Sequence, residues 1–516
     1  MDLAWIITTC LFLIVLGLLI KYITYMSSEH GTFKKMGVPS LSPLPVFGNF
    51  LREMRIGPVA FQEELYKKYN TEKVYGYYST RTPVLFIRDL DMIRDISVKH
   101  FANFVNRRQF QLDEPLDHML SMLQDDHWKN VRNTVSPTFS TGKLRRMFHH
   151  ISGSARTLVE HLRDKKVAGQ AVELKHVASC YTMDCIASTG FGVEINSLNE
   201  GENDFVAKAK AIMGAPGPVI FANFFFPFMN KKWDKIGINL FAKDAVNFFS
   251  SFVDDALKNR KEAANNSLPK RNDFLQLLLE SEGESTTDND NMSRDEAKEL
   301  KTASGRKPLS HNDIQGQAII FLLAGYDTVS TVLGFTLFLL ARNPECCKRL
   351  QQEIDDKLGK KTPSYDNMQD FTYMDMCLNE AMRLYPPGFQ LDRVCNEDID
   401  IGGVHIPKGM VVSFPMFAIH RDPAIWADPL SFDPERFSQE NKSDRHPFAH
   451  LPFGQGPRNC IGMRLALLEI KVALSAILQE MTPVTCSKTV VPVRLKFFQM
   501  VAEDGLWVKM ADRFDQ

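Results

Sequence analysis

The chain of 516 residues carries 61 lysines and arginines against 62 aspartates and glutamates, a formal net charge of -1, so no global basic field argues for nucleic acid. Its nine cysteines include the adjacent Cys346-Cys347 and no Cys-x-x-Cys pair, which gives a cysteine zinc site no support and points to a body facing a reducing compartment. A hydrophobic share of 44% with 37 Phe and 22 Met suits a large core and an adaptable apolar cavity. Length alone suggests about three domains, yet no linker divides the motifs between Trp128 and Gly462, and one large body is expected.

Leu3 to Ile20 contains no charged residue, and at helical rise it spans about 27 Å, close to a hydrocarbon core. No small-residue cleavage site follows, so a retained anchor is expected. Lys21, Lys34 and Lys35 come after the run and only Asp2 before it, which places the amino terminus outside and the body in the cytosol. The closely spaced Pro39, Pro43 and Pro45 fix extended backbone and read as a stiff spacer. The domain boundaries expected are therefore an anchor over 1–25, a proline-containing hinge over 26–50 and a catalytic body over 51–516.

Val74 to Ile87 has the composition of a hairpin of a small sheet. Helical periodicity dominates from there to about residue 260, and Trp128 and Arg132, four apart, share a helix face. Gly214 to Met229 sets five Phe among Pro and Gly, an irregular apolar segment for the interior or for a lipid or ligand environment. Ser281 to Ser310 is polar and reads as a loop without assigned chemistry.

His311 to Leu340 reads as a long helix capped by Ser310 and ended by Asn343-Pro344. In its middle lies Ala324-Gly325-Tyr326-Asp327-Thr328. Gly325 is a poor helix former and suggests a close approach to the backbone. Thr328 can bond back to the carbonyl of Ala324 and loosen the ladder. A groove with a hydroxyl and a carboxylate meets a need of oxygen activation, which consumes protons. Glu380 and Arg383 lie three apart on one helix face, and Pro434-Glu435-Arg436-Phe437 follows in an irregular stretch. Arg393 lies beyond the Pro386-Pro387 break, short β runs are expected at Ile399 to Ile406 and Met410 to Pro415, and a final pair at Val491 to Phe498 and Leu506 to Met510.

Between these runs sits the most informative stretch, Phe453 to Gly462, just ahead of the apolar helical run Leu465 to Leu478. Glycine lets backbone approach a flat ligand. A thiolate at Cys460 is favoured by the N–H groups at a helix start, and Arg458 is placed for an anionic group on the same ligand. Together these describe a haem held by one axial cysteine.

Phe453, Gly456, Arg458, Cys460 and Gly462 fill the haem signature of the cytochrome P-450 family without departure, and Ala324, Gly325, Asp327 and Thr328 fill its distal-helix motif. The chain resembles the microsomal class of that family, closest to the branch of drug- and steroid-oxidising enzymes and thromboxane synthase. The resemblance implies a mainly α fold with small β-sheets and one large haem-containing domain after a transmembrane helix. It implies haem b bound by Cys460, with Trp128, Arg132, Arg393, Arg458 and Arg107 around the propionates. Thr328 and Asp327 would deliver protons, and Glu380, Arg383 and Arg436 would form a buried charged triad behind the thiolate. Gly214 to Met229 would belong to a lid over the cavity.

The activity so implied is that of a monooxygenase acting on a lipophilic small molecule, a xenobiotic, steroid or fatty acid. Its electrons would come from NADPH, not bound by this chain, through cytochrome P-450 reductase with cytochrome b5 as an auxiliary donor. Lys129, Lys143, Arg145, Arg146 and Arg464 are the candidate docking residues. The implied location is the endoplasmic reticulum membrane, single-pass, with the body cytosolic. Two alternatives are an isomerase or dehydratase consuming a lipid peroxide, against which Thr328 speaks, and a non-catalytic haem sensor, against which the complete distal motif speaks.

Overall fold

The computed structural model describes residues 3–109, 112–199, 204–213, 225, 241–266, 273–282, 307–496 and 500–513. Most of the apolar segment Gly214 to Met229 and of the polar loop Ser281 to Ser310 lies outside the described residues. The chain is mainly helical with small sheets, and it divides into two compact units.

The first unit comprises Met1–Arg108, Gly388–Pro429 and His446–Pro457. It opens on the helix Leu3–Ser27, apolar on every face and long enough to cross a membrane. The proline stretch that follows is not a free spacer. Proline keeps its carbonyl although it lacks the N–H, and Pro39 accepts from Gly76 N at 2.9 Å while Leu41 N donates to Gly76 O at 3.0 Å. Val46 N donates to Ser27 Oγ, and Arg81 Nε to Ser28 Oγ, both at 3.0 Å.

The sheet of this unit has four strands in the order Val74–Ser79, Thr82–Ile87, Val411–Phe414, Leu391–Val394. The first pair is the expected hairpin, in register Val74 to Ile87, and Val84 then runs parallel to Val411. Arg393 faces Val412 across the last, antiparallel pair. The β run at 399–406 is a second hairpin turning at Gly402 and Gly403, both with positive φ. Phe61, Leu65, Tyr77, Phe86, Ile87, Phe104 and Val412 are among the side chains of its core.

The second unit comprises Gln109–Pro387, Leu430–Arg445 and Arg458–Gln516. Its central helix is His311–Arg342. Ser310 caps it as expected, in a reciprocal box with Asp313, and Pro344 begins the next helix after Asn343. From Val329 to Ala341 every residue is buried, as suits a helix packed on several sides. The helix Met463–Glu480 follows Cys460. Trp507–Ala511 forms the last strand, but its partners are Thr482–Val484 and Val172–Glu173. The strand expected over Val491 to Phe498 is absent from the described residues there, where a single bridge joins Leu495 to Ala502. Pro492, next to Val491, has no N–H to give a ladder.

One feature of this unit has a pH signature. Glu469 is buried in the helix Met463–Glu480, its Oε1 has no hydrogen-bond partner, and burial pushes its carboxyl up to about 8. The folded chain keeps this proton where the unfolded chain, with an ordinary carboxyl, has lost it. Stability from this site is therefore greatest below the ordinary carboxyl range and falls as pH rises toward 8. Glu469→Gln is expected to raise the unfolding midpoint at pH 9, by a free energy on the order of a few kcal/mol, with little gain at pH 5. Thermal unfolding at the two pH values checks it, and equal gains at both would contradict the account.

Candidate active site

Among the described residues of the second unit, Cys460 is the exposed thiol. Cys180, Cys185, Cys347 and Cys377 are buried, and burial pushes their thiols up, Cys180 to about 11 and Cys347 to about 12. Such thiols are inert cores, whereas Cys460 stands two residues before Gly462, the N-cap of the helix Met463–Glu480. The loop is held at the two residues just before the sulfur. Arg132 donates through Nη1 to Asn459 O at 3.0 Å and through Nη2 to Asn459 Oδ1 at 3.1 Å. Arg458, buried, donates to Leu123 O at 2.7 Å and lies 4.8 Å over the Trp128 ring. The structure thus brings Trp128, Arg132, Arg458 and Cys460 together, as the motifs require. It also gives Arg132 and Arg458 loop-holding bonds that no motif foretold.

In the first unit, Gly456 has φ of +80°, and a Cβ there would lie 2.1 Å from Ser97 O. Only glycine fits that contact. Phe453 is half-buried in the same segment. Arg393 is 1% exposed, and its Nε has no hydrogen-bond partner. Burial holds its guanidinium down to about 9, the like charge of Arg107 adds to this, and Asp392 opposes it. A buried arginine beside a second arginine calls for an anion. The dianionic edge of a porphyrin has that chemistry, and an exposed thiol preceded by a buried arginine has the chemistry of its iron ligand. The residues present fit haem.

On the central helix Ala324 and Thr328 are exposed, although the helix is otherwise largely buried. Thr328 Oγ1 donates to Ala324 O at 2.7 Å, the back-bond expected from spacing. At Gly325 the close approach comes from Ile186, whose side chain would lie 3.2 Å from an added Cβ. The small residue there serves helix packing, and the open side of the helix is at Ala324.

Asp327 is engaged by Lys175, a residue that sits in no motif. Lys175 Nζ donates to Asp327 Oδ1 at 2.8 Å, Asp327 O at 2.7 Å, Ser330 Oγ at 2.7 Å and Thr331 Oγ1 at 2.8 Å. Burial lowers the Lys175 ammonium and the Asp327 charge opposes that shift. Thr182 Oγ1 donates to Tyr326 O at 2.9 Å, and Thr331 Oγ1 to Asp327 O at 2.8 Å. Side-chain donors therefore crowd the carbonyls at the centre of the motif, while the helix runs unbroken from His311 to Arg342.

Glu380 and Arg383 are fully buried, paired through Nε to Oε2 and Nη2 to Oε1, each at 2.7 Å. Arg436 Nε stands 3.3 Å from Glu380 Oε1, and Asp433 N donates to the same oxygen at 2.9 Å. Arg383 and Arg436 also reach Ser431, at its O and Oγ. Arg445, absent from the sequence reading, donates to Arg436 O and extends the cluster.

A family model described as cytochrome P-450 matches residues 38–505. The chain is 40% identical to cytochrome P-450 3A11 of Mus musculus, over 94% of this chain and 92% of that protein. It is 40% identical to cytochrome P-450 3A2 of Rattus norvegicus and 39% identical to cytochrome P-450 3A14 of Cavia porcellus, each over 95% of this chain and 93% of the relative. With a matching thiol loop, distal motif and buried triad, the chain belongs to the cytochrome P-450 family of haem b monooxygenases.

Proposed function

We propose that the protein inserts one oxygen atom of O2 into a lipophilic small molecule, a xenobiotic, steroid or fatty acid, with the second atom leaving as water. The observation that supports this most directly is the exposed Cys460 thiol in a loop pinned at Asn459 and Arg458. Haem, when bound, supplies the redox iron at which dioxygen is reduced and oxygen is transferred.

Cys460 would hold the haem iron through its sulfur, the thiolate being favoured by the helix start that follows. In the first unit Arg393 and Arg107, and in the second unit Trp128, Arg132 and Arg458, are the groups that would neutralise and orient propionates. Gly456 and Phe453 shape the loop, and Gly462 begins the helix behind it. Thr328 holds a proton on Oγ1 at the open side of the central helix, using Ala324 O as its resting acceptor. Asp327 passes protons toward Thr328 from the Lys175 ammonium, to which it is paired at 2.8 Å. Glu380, Arg383 and Arg436 keep the segment behind the loop in place.

Electrons come from NADPH through cytochrome P-450 reductase, with cytochrome b5 as an auxiliary donor. Lys129, Arg145, Arg146 and Arg464 are exposed and Lys143 half-buried in the second unit, which supports a basic docking face. The helix Leu3–Ser27 anchors residues 1–25 in the endoplasmic reticulum membrane, residues 26–50 mount the body, and 51–516 form the catalytic domain on the cytosolic side.

Cys460→Ser is expected to abolish the red-shifted absorbance of the reduced, carbon-monoxide-bound protein and all NADPH-driven product formation. An unchanged spectrum and turnover would refute the reading, and product formed from lipid peroxide without NADPH would favour the isomerase. Thr328→Ala should lower product per NADPH by about tenfold or more while NADPH is still consumed. A ratio equal to wild type removes Thr328 from proton delivery. Glu380→Ala leaves two buried arginines uncompensated at a cost of about 3–5 kcal/mol, so the purified variant should lack haem. Full haem content would contradict the triad's role.

A further inference from the structure

Two histidines and a carboxylate of the second unit converge on one point, with none of the three among the residues assigned to the haem site. His118 ends the short turn Leu116–His118, His127 lies in the first turn of the helix Asp125–Val135, and Asp313 is in the first turn of the central helix. His118 Nδ1 and His127 Nε2 each stand 2.8 Å from the same oxygen, Asp313 Oδ1. We propose that His118, His127 and Asp313 form a binding site for a divalent transition-metal cation of the zinc class.

The carboxylate is held before any ligand arrives. Asp313 Oδ2 accepts from Ser310 N at 3.0 Å and from Ser310 Oγ at 2.7 Å, so the helix cap fixes one oxygen and turns the other outward. Asp313 is buried, which removes the water that would compete for it. The His118 backbone is fixed as well. Gln317 Nε2 donates to His118 O at 2.6 Å, and its Oε1 accepts from Leu120 N at 3.0 Å. Gly316 is what allows that approach, since a Cβ there would lie 2.8 Å from His118 C and from Pro115 O. Ligating groups locked by packing and hydrogen bonds are the requirement for a preorganised site.

The donor set selects the cation. Two imidazole nitrogens with one carboxylate oxygen suit zinc, nickel, cobalt or copper, whereas calcium and magnesium take oxygen ligands. Donors 2.8 Å apart need to separate by only about 0.5 Å to sit on the edges of a tetrahedron with ~2 Å bonds. Each ring points a nitrogen at Asp313, and it is that nitrogen's lone pair that a cation would take. The surrounding field also favours a cation. Glu114 and Asp117 offer carboxylate oxygens within 4.8 Å of a His118 nitrogen, and Asp117 Oδ1 is buried with no hydrogen-bond partner. Occupancy would clamp residues 114–127 to the start of the central helix, and this same segment supplies the Leu123 carbonyl that Arg458 grips.

The test uses the full-length holoenzyme, stripped of adventitious metal and titrated with Zn2+ by equilibrium dialysis. Wild type is expected to bind one equivalent with a dissociation constant of about 1 µM or below and to unfold at a higher temperature in its presence. His118→Ala and His127→Ala should each weaken this binding by about 10–100-fold and remove the thermal shift. Both should keep the wild-type haem spectrum, which shows that the fold is intact. His149→Ala/His150→Ala, at a neighbouring pair of rings, should bind as wild type does. Binding weaker than about 100 µM in wild type, or equal binding by the two site variants, overturns the proposal.

Discussion

The carboxylate of Glu380 is the interaction on which the second unit's architecture rests. It has no exposed surface, yet it is paired with a guanidinium in the interior. Such burial is tolerable only if every oxygen lone pair finds a charged or polar hydrogen. Arg383 supplies a two-point pair, the Asp433 N–H a third bond, Arg436 Nε stands 3.3 Å away as a second positive charge, and Ser431 accepts from the arginines in turn. The helix Thr372–Leu384 and the irregular chain from Ser431 to Arg436 are thereby locked by direction rather than by apolar contact alone. Hydrophobic packing tolerates sliding. A forked guanidinium on a carboxylate does not.

The same logic recurs at smaller scale around the central helix. Lys175 is a largely covered ammonium whose donors converge on the carboxylate and carbonyl of Asp327 and on two hydroxyls of the following turn. This fixes Asp327 on the side of the helix toward Leu174–Ile186, while Thr328 stays exposed. The helix is held rigid on one face and its backbone bonding is diverted on the other. That division lets a hydroxyl be presented at a defined place without loosening the core.

Much of this was legible in the chain because the chemistry demands fixed residue types at fixed intervals. The thiol loop, the Ala-Gly-x-Asp-Thr run, the Ser310 cap and the Glu380–Arg383 spacing are short-range patterns, and each is found where expected. What was not legible depends on contacts between distant segments. Lys175 meets Asp327 across 152 residues of sequence, and Arg132 meets Asn459 across 327. Neither carries a local signature. The close approach that Gly325 suggests is made by the Ile186 side chain, a tertiary contact with no local signature. The β run near residue 495 instead turns back on itself through a bridge to Ala502, while the final strand pairs with Thr482–Val484.

The join between the amino-terminal helix and the first unit has a mechanical consequence. Met26 is buried, Tyr25 lies under Arg81, and His30 Nε2 stands 3.0 Å from Thr80 O at the hairpin turn. The helix is bolted to the sheet by its last turn and by the bonded Pro39–Leu41 chain, so rotation about the connection is restricted. In a bilayer such a bracket, unlike a leash, would hold the first unit at one depth and one tilt. Lipid-dissolved compounds would then meet the same side of it at every encounter.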